Sequence, residues 1–113
     1  MIEKIILDYL NEVLDVDVFM EVPEKDIESF VVLEKTGSSK TNHIPSATIA
    51  AQSYGPSMYD AALLNEQVKA AIENMVELDE ISAVRLNSDY NFTDTRTKKY
   101  RYQCLYVVTY GIE

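Results

Sequence analysis

Residues 99–112 constrain the fold most, because aromatic or apolar side chains occupy every second position and no proline interrupts the run. A period of two is that of a β-strand, whose successive side chains point to opposite faces. Leu105 and Val107 lie between these positions and are also apolar, so we expect a central strand whose middle is covered on both faces. The alternating positions are Tyr100, Tyr102, Cys104, Tyr106, Val108, Tyr110 and Ile112.

The tyrosines of this strand allow two interpretations. Aromatic side chains fit the half-buried surface of a pleated sheet, which favours packing. Tyrosine also supplies contact area and a hydroxyl group at protein interfaces, which favours contact with a partner. The sequence leaves both open, and neither interpretation involves catalysis.

Length and composition indicate one folded domain, residues 1–113. The chain has 113 residues, of which 47% are hydrophobic and 26% charged, values typical of a globular protein that needs no disulfide or structural metal. Cys104 is the single cysteine, so an intramolecular disulfide is excluded. Its place in the strand predicts a small buried apolar side chain and not a reactive thiol.

The charge pattern excludes several classes of protein. Charged residues interrupt the apolar ones at residues 1–6, which is not the pattern of a signal peptide or a membrane-spanning segment. We therefore expect synthesis in the cytoplasm and no membrane partner. The net charge of −9 disfavours general binding to nucleic acid.

Periodicity along the chain predicts two helices and five strands. Apolar residues recur every three or four positions in 2–14 and 58–76, and Ser57 with Asp60 forms a cap for the second helix. The strands are predicted at 16–20, 29–35, 47–54, 81–92 and 99–112. The fold class is α+β: one mixed, mostly antiparallel sheet of about five strands with two helices packed on it, in the order α-β-β-β-α-β-β.

The connections carry three further expectations. A polar turn suggests that the first two strands form a hairpin. The polar segment 36–43 is expected to be a flexible loop. The last two strands should form a long hairpin whose distal part is mobile, since it has too little apolar character to be held by the core.

No chemical motif is complete. His43 has no second ligand to form a metal site, and segment 36–43 lacks the Gly-Lys pair and following helix of a phosphate-binding loop. Asp89, Asn91 and Asp94 lack the glycine and closing glutamate of a calcium loop. The sequence therefore predicts no catalytic residue, no cofactor and no metal.

Basic residues cluster near the end of the last hairpin. Four of them fall within six positions, and they are Arg96, Lys98, Lys99 and Arg101. A basic tip on an acidic body is the arrangement expected if the tip contacts the acidic flank of a second copy. Such a head-to-tail contact is heterologous and can close into a ring. A merely solvated tip is the alternative, and nucleic-acid binding is a weaker one.

Several segments resemble the tail terminator proteins of long-tailed bacteriophages. They are the run SFVVLEKTGS at 29–38, the strand ATIAAQSYG at 47–55, the helix at 61–76 and the segment YRYQ at 100–103. The family typically shows a strand ending in valine, glutamate, a basic residue, threonine and glycine. It also shows an alanine-glutamine strand leading into a helix, and a closing strand that begins near arginine, tyrosine and glutamine. The first loop lacks the extra glycines and arginine often seen there.

The resemblance implies a structural protein of the virion tail or neck and not an enzyme. Its copies would form a hexameric ring that caps the tail tube, ends its polymerisation and offers the surface for head joining. The implied partners are other copies, the tail tube protein and a head-completion or connector protein, with DNA only passing through the lumen. The alternatives are a head-closure, connector or minor capsid protein of the neck and, from another class, a small α+β enzyme or a cellular regulatory binding domain.

The subunit or partner interface is expected in two segments. The first is the polar loop, with Thr36, Gly37, Ser39 and Lys40. The second is the distal part of the last hairpin, with Asn91, Thr95, Arg96, Lys98, Lys99, Tyr100, Arg101 and Tyr102.

Overall fold

A five-stranded sheet carries two helices on one face in the computed structural model, which describes residues 1–97 and 99–111. The elements are α1 (Ile2–Val13), β1 (Val18–Phe19), β2 (Phe30–Thr41), β3 (Ile44–Gly55), α2 (Met58–Glu73), β4 (Ile81–Asn91) and β5 (Tyr100–Tyr110). A 3₁₀ turn, Asn74–Glu77, follows α2. The strand order is β1-β2-β3-β5-β4, with β1 and β2 parallel and the other pairs antiparallel. The α+β prediction and its element order are confirmed.

Each helix presents one apolar stripe to the sheet. In α1, Ile2, Ile6 and Leu10 are buried at helical spacing. The predicted cap of α2 is present, since Ser57 Oγ accepts the N–H of Asp60 at 3.1 Å. We name the side of the sheet under the helices the helix face, and the other side the open face.

Gly55 sets how closely α2 follows β3. A Cβ atom at this position would lie 2.7 Å from the backbone nitrogen of Ala61, closer than real Cβ contacts. Only glycine permits this approach of the strand end to the first turn of the helix.

β5 has a strand on each side, as the alternation predicted. Cys104, Tyr106 and Val108 are fully buried on the helix face, which confirms the packing interpretation for Tyr106. Leu105 and Val107 are only half-buried on the open face. The expectation that both faces of β5 are covered is therefore wrong, because both helices lie on one side.

The predicted hairpin between the first two strands is wrong. β1 pairs parallel to β2, with Val18 beside Val31. The Asn11 side chain accepts the N–H of Val18 at 2.9 Å and donates to its carbonyl at 3.1 Å, which fixes the direction of β1 beside α1. Residues 20–29 then return the chain to the start of β2.

The predicted loop at 36–43 is wrong as well. β2 runs on to Thr41 and β3 begins at Ile44, so Asn42 and His43 alone form the turn. Their φ angles are 51° and 67°, and two positive values in succession are those of a type I′ turn, which matches the twist of the flanking strands. Residues 34–44 are exposed, and we name this exposed part of the β2–β3 hairpin the arm.

Candidate assembly interface

The structure separates the two predicted interface segments. Thr36, Gly37, Ser39 and Lys40 lie on the arm, whereas the other predicted residues that the structure describes lie toward the far end of the sheet. Strand β3 runs from Ile44 beside the arm to Gly55 beside Tyr100. Gly37 pairs with Thr48 and Tyr102 pairs with Ser53, so the nearest residues of the two segments lie about 17 Å apart along β3 and the two segments do not make one compact site.

The arm offers exposed polar side chains on a regular strand. Thr36 is the extra residue of a β-bulge between Lys35 and Gly37, and its hydroxyl donates to Thr48 O at 3.4 Å. Lys35 is tied to Glu3 of α1 by an ion pair of 3.4 Å. Lys40 is exposed further along the arm, where it can meet a partner.

The turn between β4 and β5 is organised by Asp94. Its carboxylate accepts the N–H of Arg96 at 3.0 Å, and this bond holds the pKa of Asp94 below its usual value. Its own N–H donates to Lys99 O at 3.3 Å. Thr95, Arg96 and Lys99 are exposed there, and we name residues 95–99 the basic tip. The predicted interface residue Lys98 lies outside the described residues.

The distal part of this hairpin is held more firmly than predicted. Asn91 Nδ2 lies 3.3 Å from Met58 Sδ at the start of α2, and the hydroxyl of Thr93 lies 3.4 Å from the same sulfur. The Thr93 hydroxyl also accepts the N–H of Arg101 at 3.2 Å. The sequence predicted a mobile distal part with too little apolar character to be held by the core. Polar side chains of Asn91 and Thr93 attach this part to the start of α2, and its mobility stays a prediction.

Arg101 belongs to the open face and not to the basic tip. Its guanidinium lies 4.4 Å from the centre of the Phe92 ring, a cation–π geometry. It donates through Nε to Phe92 O at 2.7 Å and through Nη1 to the Tyr54 hydroxyl at 2.8 Å. These bonds position the hairpin on the sheet, so this charge is already committed within the molecule.

The remaining two predicted residues flank the same end. Tyr100 is half-exposed opposite Gly55 and lines a cleft of about 290 Å³ with Lys99 and with Asp26 and Glu28 of the β1–β2 connection. Tyr102 is half-buried between Ser53 and Asn91 in the ladder. The cleft places the acidic β1–β2 connection and the basic tip at one end of the molecule.

The sequence did not predict a row of aromatic and amide side chains that lies on the open face. Phe30 and Tyr54 stack with their centres 4.5 Å apart, and Tyr90 meets Phe92 edge-on at 5.9 Å. The glutamines between them, Gln52 and Gln103, are hydrogen-bonded at 2.8 Å, and Gln103 also bonds the Tyr90 hydroxyl. The alternation of Tyr90 with Phe92 was the available signal. Aromatic and amide groups suit protein contact.

The ionisable groups under α2 satisfy one another. Asp89 accepts from Lys69 at 2.6 Å and from Asn65 at 2.7 Å, and the bonds to Asp89 and then to Glu66 raise the pKa of Lys69. The hydroxyl of Tyr106 donates to Glu73 at 2.6 Å. These pairs couple the helix to the sheet.

The Cys104 thiol is buried against Ala51, as predicted. Burial raises its pKa from 9.0 to about 12. A thiol of this kind is protonated at neutral pH and is a poor nucleophile.

No family model matches the chain, and no curated protein matches it. In the part of the chain that the structure describes, no helix is long and apolar enough to cross a membrane. Among those same residues, no group of three or more His, Cys, Asp or Glu side chains is placed to hold a metal ion.

Proposed function

We propose that this chain is a structural, non-enzymatic subunit of a bacteriophage tail. Its copies would assemble into a ring, hexameric in the family that the sequence resembles, which caps the tail tube and stops its growth. The same ring would present the surface to which the filled head is joined. Two kinds of support carry this proposal: the resemblance of the strand and helix segments, and the placement of charge around the sheet.

The observation that supports this proposal most strongly is the position of the acidic β1–β2 connection relative to the basic tip. The β1–β2 connection is acidic and exposed at Glu21, Glu24, Asp26 and Glu28. It starts from the edge strand β1 and reaches Lys99, with which Asp26 and Glu28 line a cleft, whereas Arg96 follows β4 at the other edge. Opposite charges therefore stand at the same end of the molecule.

This arrangement suits copies that stand side by side in the same orientation. The basic tip of each copy would then face the acidic connection of the next one. Contacts of this kind are heterologous, and they close into a ring when the rotation between neighbours divides a full turn. Charge complementarity at the rim of such a contact raises the rate of association and selects the correct neighbour.

Assembly and tube growth can be tested together. Native mass spectrometry and negative-stain imaging of the purified protein should show rings. Tail tubes that polymerise in the presence of the protein should be shorter than tubes that polymerise without it. A protein that stays monomeric and leaves tube length unchanged would contradict the proposal. Binding to portal-side proteins in preference to tube subunits would instead favour the head-closure alternative.

Charge reversal tests the observation itself. Changing Arg96, Lys98 and Lys99 to Glu should weaken assembly while the monomer changes stability by less than about 0.5 kcal/mol, because Arg96 and Lys99 are exposed. The matched control is Lys4→Glu, an exposed cation of α1. Combining the reversed tip with Glu24→Lys and Asp26→Lys should restore assembly. Unchanged assembly of the reversed tip at moderate salt would count against this contact.

A further inference from the structure

Both edges of the sheet have backbone groups that no strand covers. β1 borders β2 only at Val31 and Val32, while β2 continues to Thr41. β4 closes the sheet on the other side and pairs only with β5. Within residues 1–97 and 99–111 no other strand borders these edges, so the backbone N–H and C=O groups along them are available for pairing.

The directions of the two edges match. β2, β3, β5 and β4 are neighbours in that order and each pair is antiparallel. β2 and β4 therefore run in opposite directions. A second copy in the same orientation, set beside the first, would place its β2 antiparallel to β4.

The hydrogen-bonding pattern of β2 identifies which residues point outward. The N–H of Val31 donates to Asp17 O at 3.1 Å across the outer edge. Backbone N–H groups of successive residues point alternately to the two edges of a strand, so those of Leu33 and Lys35 also point to the outer edge. The extra residue Thr36 shifts this alternation by one position, and the next outward N–H is that of Ser38. The side chains of Val31 and Leu33 lie in the core under the helices. The residues whose N–H groups point to the outer edge therefore carry their side chains on the helix face.

The same reasoning applies to β4. The N–H of Phe92 donates inward to Arg101 O at 2.9 Å, so Asn91 and Asp89 point outward. The Asp89 side chain contacts Asn65 of α2 and therefore lies on the helix face. At both edges, the residues whose N–H groups point outward carry their side chains on the helix face. Two edges must match in this way if they are to pair with the helices of both copies on the same side of the joined sheet.

Charge and register favour the same contact. The register across β3 and β5 sets Ser39 level with Ala83. A neighbour at the same level would bring its exposed Lys40 beside Asp79 and Glu80, which are exposed just before β4. Opposite charges at this end repeat the complementarity found at the other end between the acidic connection and the basic tip.

Bulges restrict the partner. Thr36 interrupts β2 between Lys35 and Gly37, and Asn87 interrupts β4 between Leu86 and Ser88. The β2 bulge stands within one ladder position of the β4 bulge when the register is followed across the sheet. A regular strand without a bulge cannot pair along the full length of a bulged edge. The two bulges therefore disfavour pairing with the edge strands of unrelated proteins.

We infer that the arm edge of β2 pairs antiparallel with the β4 edge of a second copy, so that the sheets of neighbouring subunits join. This inference rests on the proposed ring and names the contact that holds it. The partner is another copy of this chain, bound mainly through its backbone, with the charged pairs at both ends fixing the register.

Proline substitution at an outward position tests the contact. Ser38→Pro removes an outward N–H, a change that an edge strand tolerates, so the variant should keep the circular dichroism and unfolding midpoint of the wild type. Its association should weaken about tenfold or more, because a backbone bond is lost and the ring of proline obstructs the neighbour. Ser38→Ala keeps the N–H and should assemble like the wild type.

Mixing two variants tests whether different edges meet. Leu86→Pro alters the other edge, at a side chain that is 43% exposed. Each variant alone should be monomeric, whereas an equal mixture should give dimers, because one intact β2 edge then meets one intact β4 edge. The dimers should not grow into rings.

The outcomes separate this inference from the proposed function. Wild-type rings that persist in Ser38→Pro would overturn the edge pairing and leave the ring proposal standing. A mixture that gives no dimer would overturn the pairing of unlike edges. Wild-type rings that are lost in the proline variants but do not stop tube growth would support the pairing and contradict the tail function. A wild type that stays monomeric at high concentration would overturn both and leave the edges to a different chain.

Discussion

The base and the arm of the β2–β3 hairpin consist of the same two strands, yet only the base is buried. Val31 and Leu33 at the base are wholly covered by the helices, while every residue from Glu34 to Ile44 is exposed. The base is held by apolar packing, and the arm by a type I′ turn and the register it inherits from the base. Burial therefore does not decide where these strands end.

The difference also separates stability from assembly. Residues at the base contribute to the free energy of unfolding, since they fill the core. Residues of the arm are exposed, so truncating their side chains should change the free energy of unfolding little. Three predictions test this division, from the largest expected effect to the smallest.

The first removes apolar volume at the base. Leu33→Ala should lower the free energy of unfolding by about 2–5 kcal/mol, because it leaves a cavity under the helices. Thr41→Ala, on the same strand within the arm, is the matched control and should change it by less than about 0.5 kcal/mol. Urea denaturation measures both. Similar losses in the two variants would show that the arm is part of the cooperative core.

The second uses the titratable groups that lie behind the base. Burial raises the pKa of Cys104 from 9.0 to about 12, and burial together with Glu73 raises the pKa of Tyr106. Both groups stay protonated in the folded chain while the unfolded chain ionises. The contribution of Cys104 to the unfolding free energy is therefore complete below pH 9 and is lost as the pH rises toward 12, and that of Tyr106 begins to fall above pH 10. Each titrating group should contribute a slope of about 1.4 kcal/mol per pH unit.

The control for this slope is Cys104→Ala. Its unfolding free energy should fall less steeply than that of the wild type between pH 9 and 10, where the thiol titrates in the unfolded chain. The wild-type thiol should also resist labelling until the protein unfolds. Equal slopes in the two proteins, or rapid labelling of the native state, would contradict the buried protonated thiol.

The third alters the turn at the end of the arm. Asn42→Ala should destabilise the protein by about 1 kcal/mol, because alanine tolerates a positive φ poorly. His43→Gly should stabilise it by about 0.5–1 kcal/mol, since glycine adopts that φ without strain. Thermal unfolding gives the two signs directly. A shift of the same sign in both variants would rule out turn strain as their cause.

The candidate interface was predictable only in part. The arm residues Thr36, Gly37, Ser39 and Lys40 were selected from a polar stretch that was taken for a loop. The structure shows them exposed on a strand, and their role in an interface stays a prediction. Arg101 was selected for its charge, which the structure shows committed to Phe92 and Tyr54. Nothing in the local sequence indicates that these rings lie beside Arg101, because Tyr54 is 47 residues away in the chain.

The sequence alone determined the elements whose signal is local. Helical spacing located α1 and α2, the Ser57 cap located the start of α2, and strict alternation identified β5 as an inner strand. Each of these depends on residues a few positions apart. The tertiary structure decided the parallel pairing of β1, the extension of β2 into the arm, and the separation of the two interface segments. Those features depend on contacts between distant residues and on turn geometry, which hydrophobic periodicity does not report.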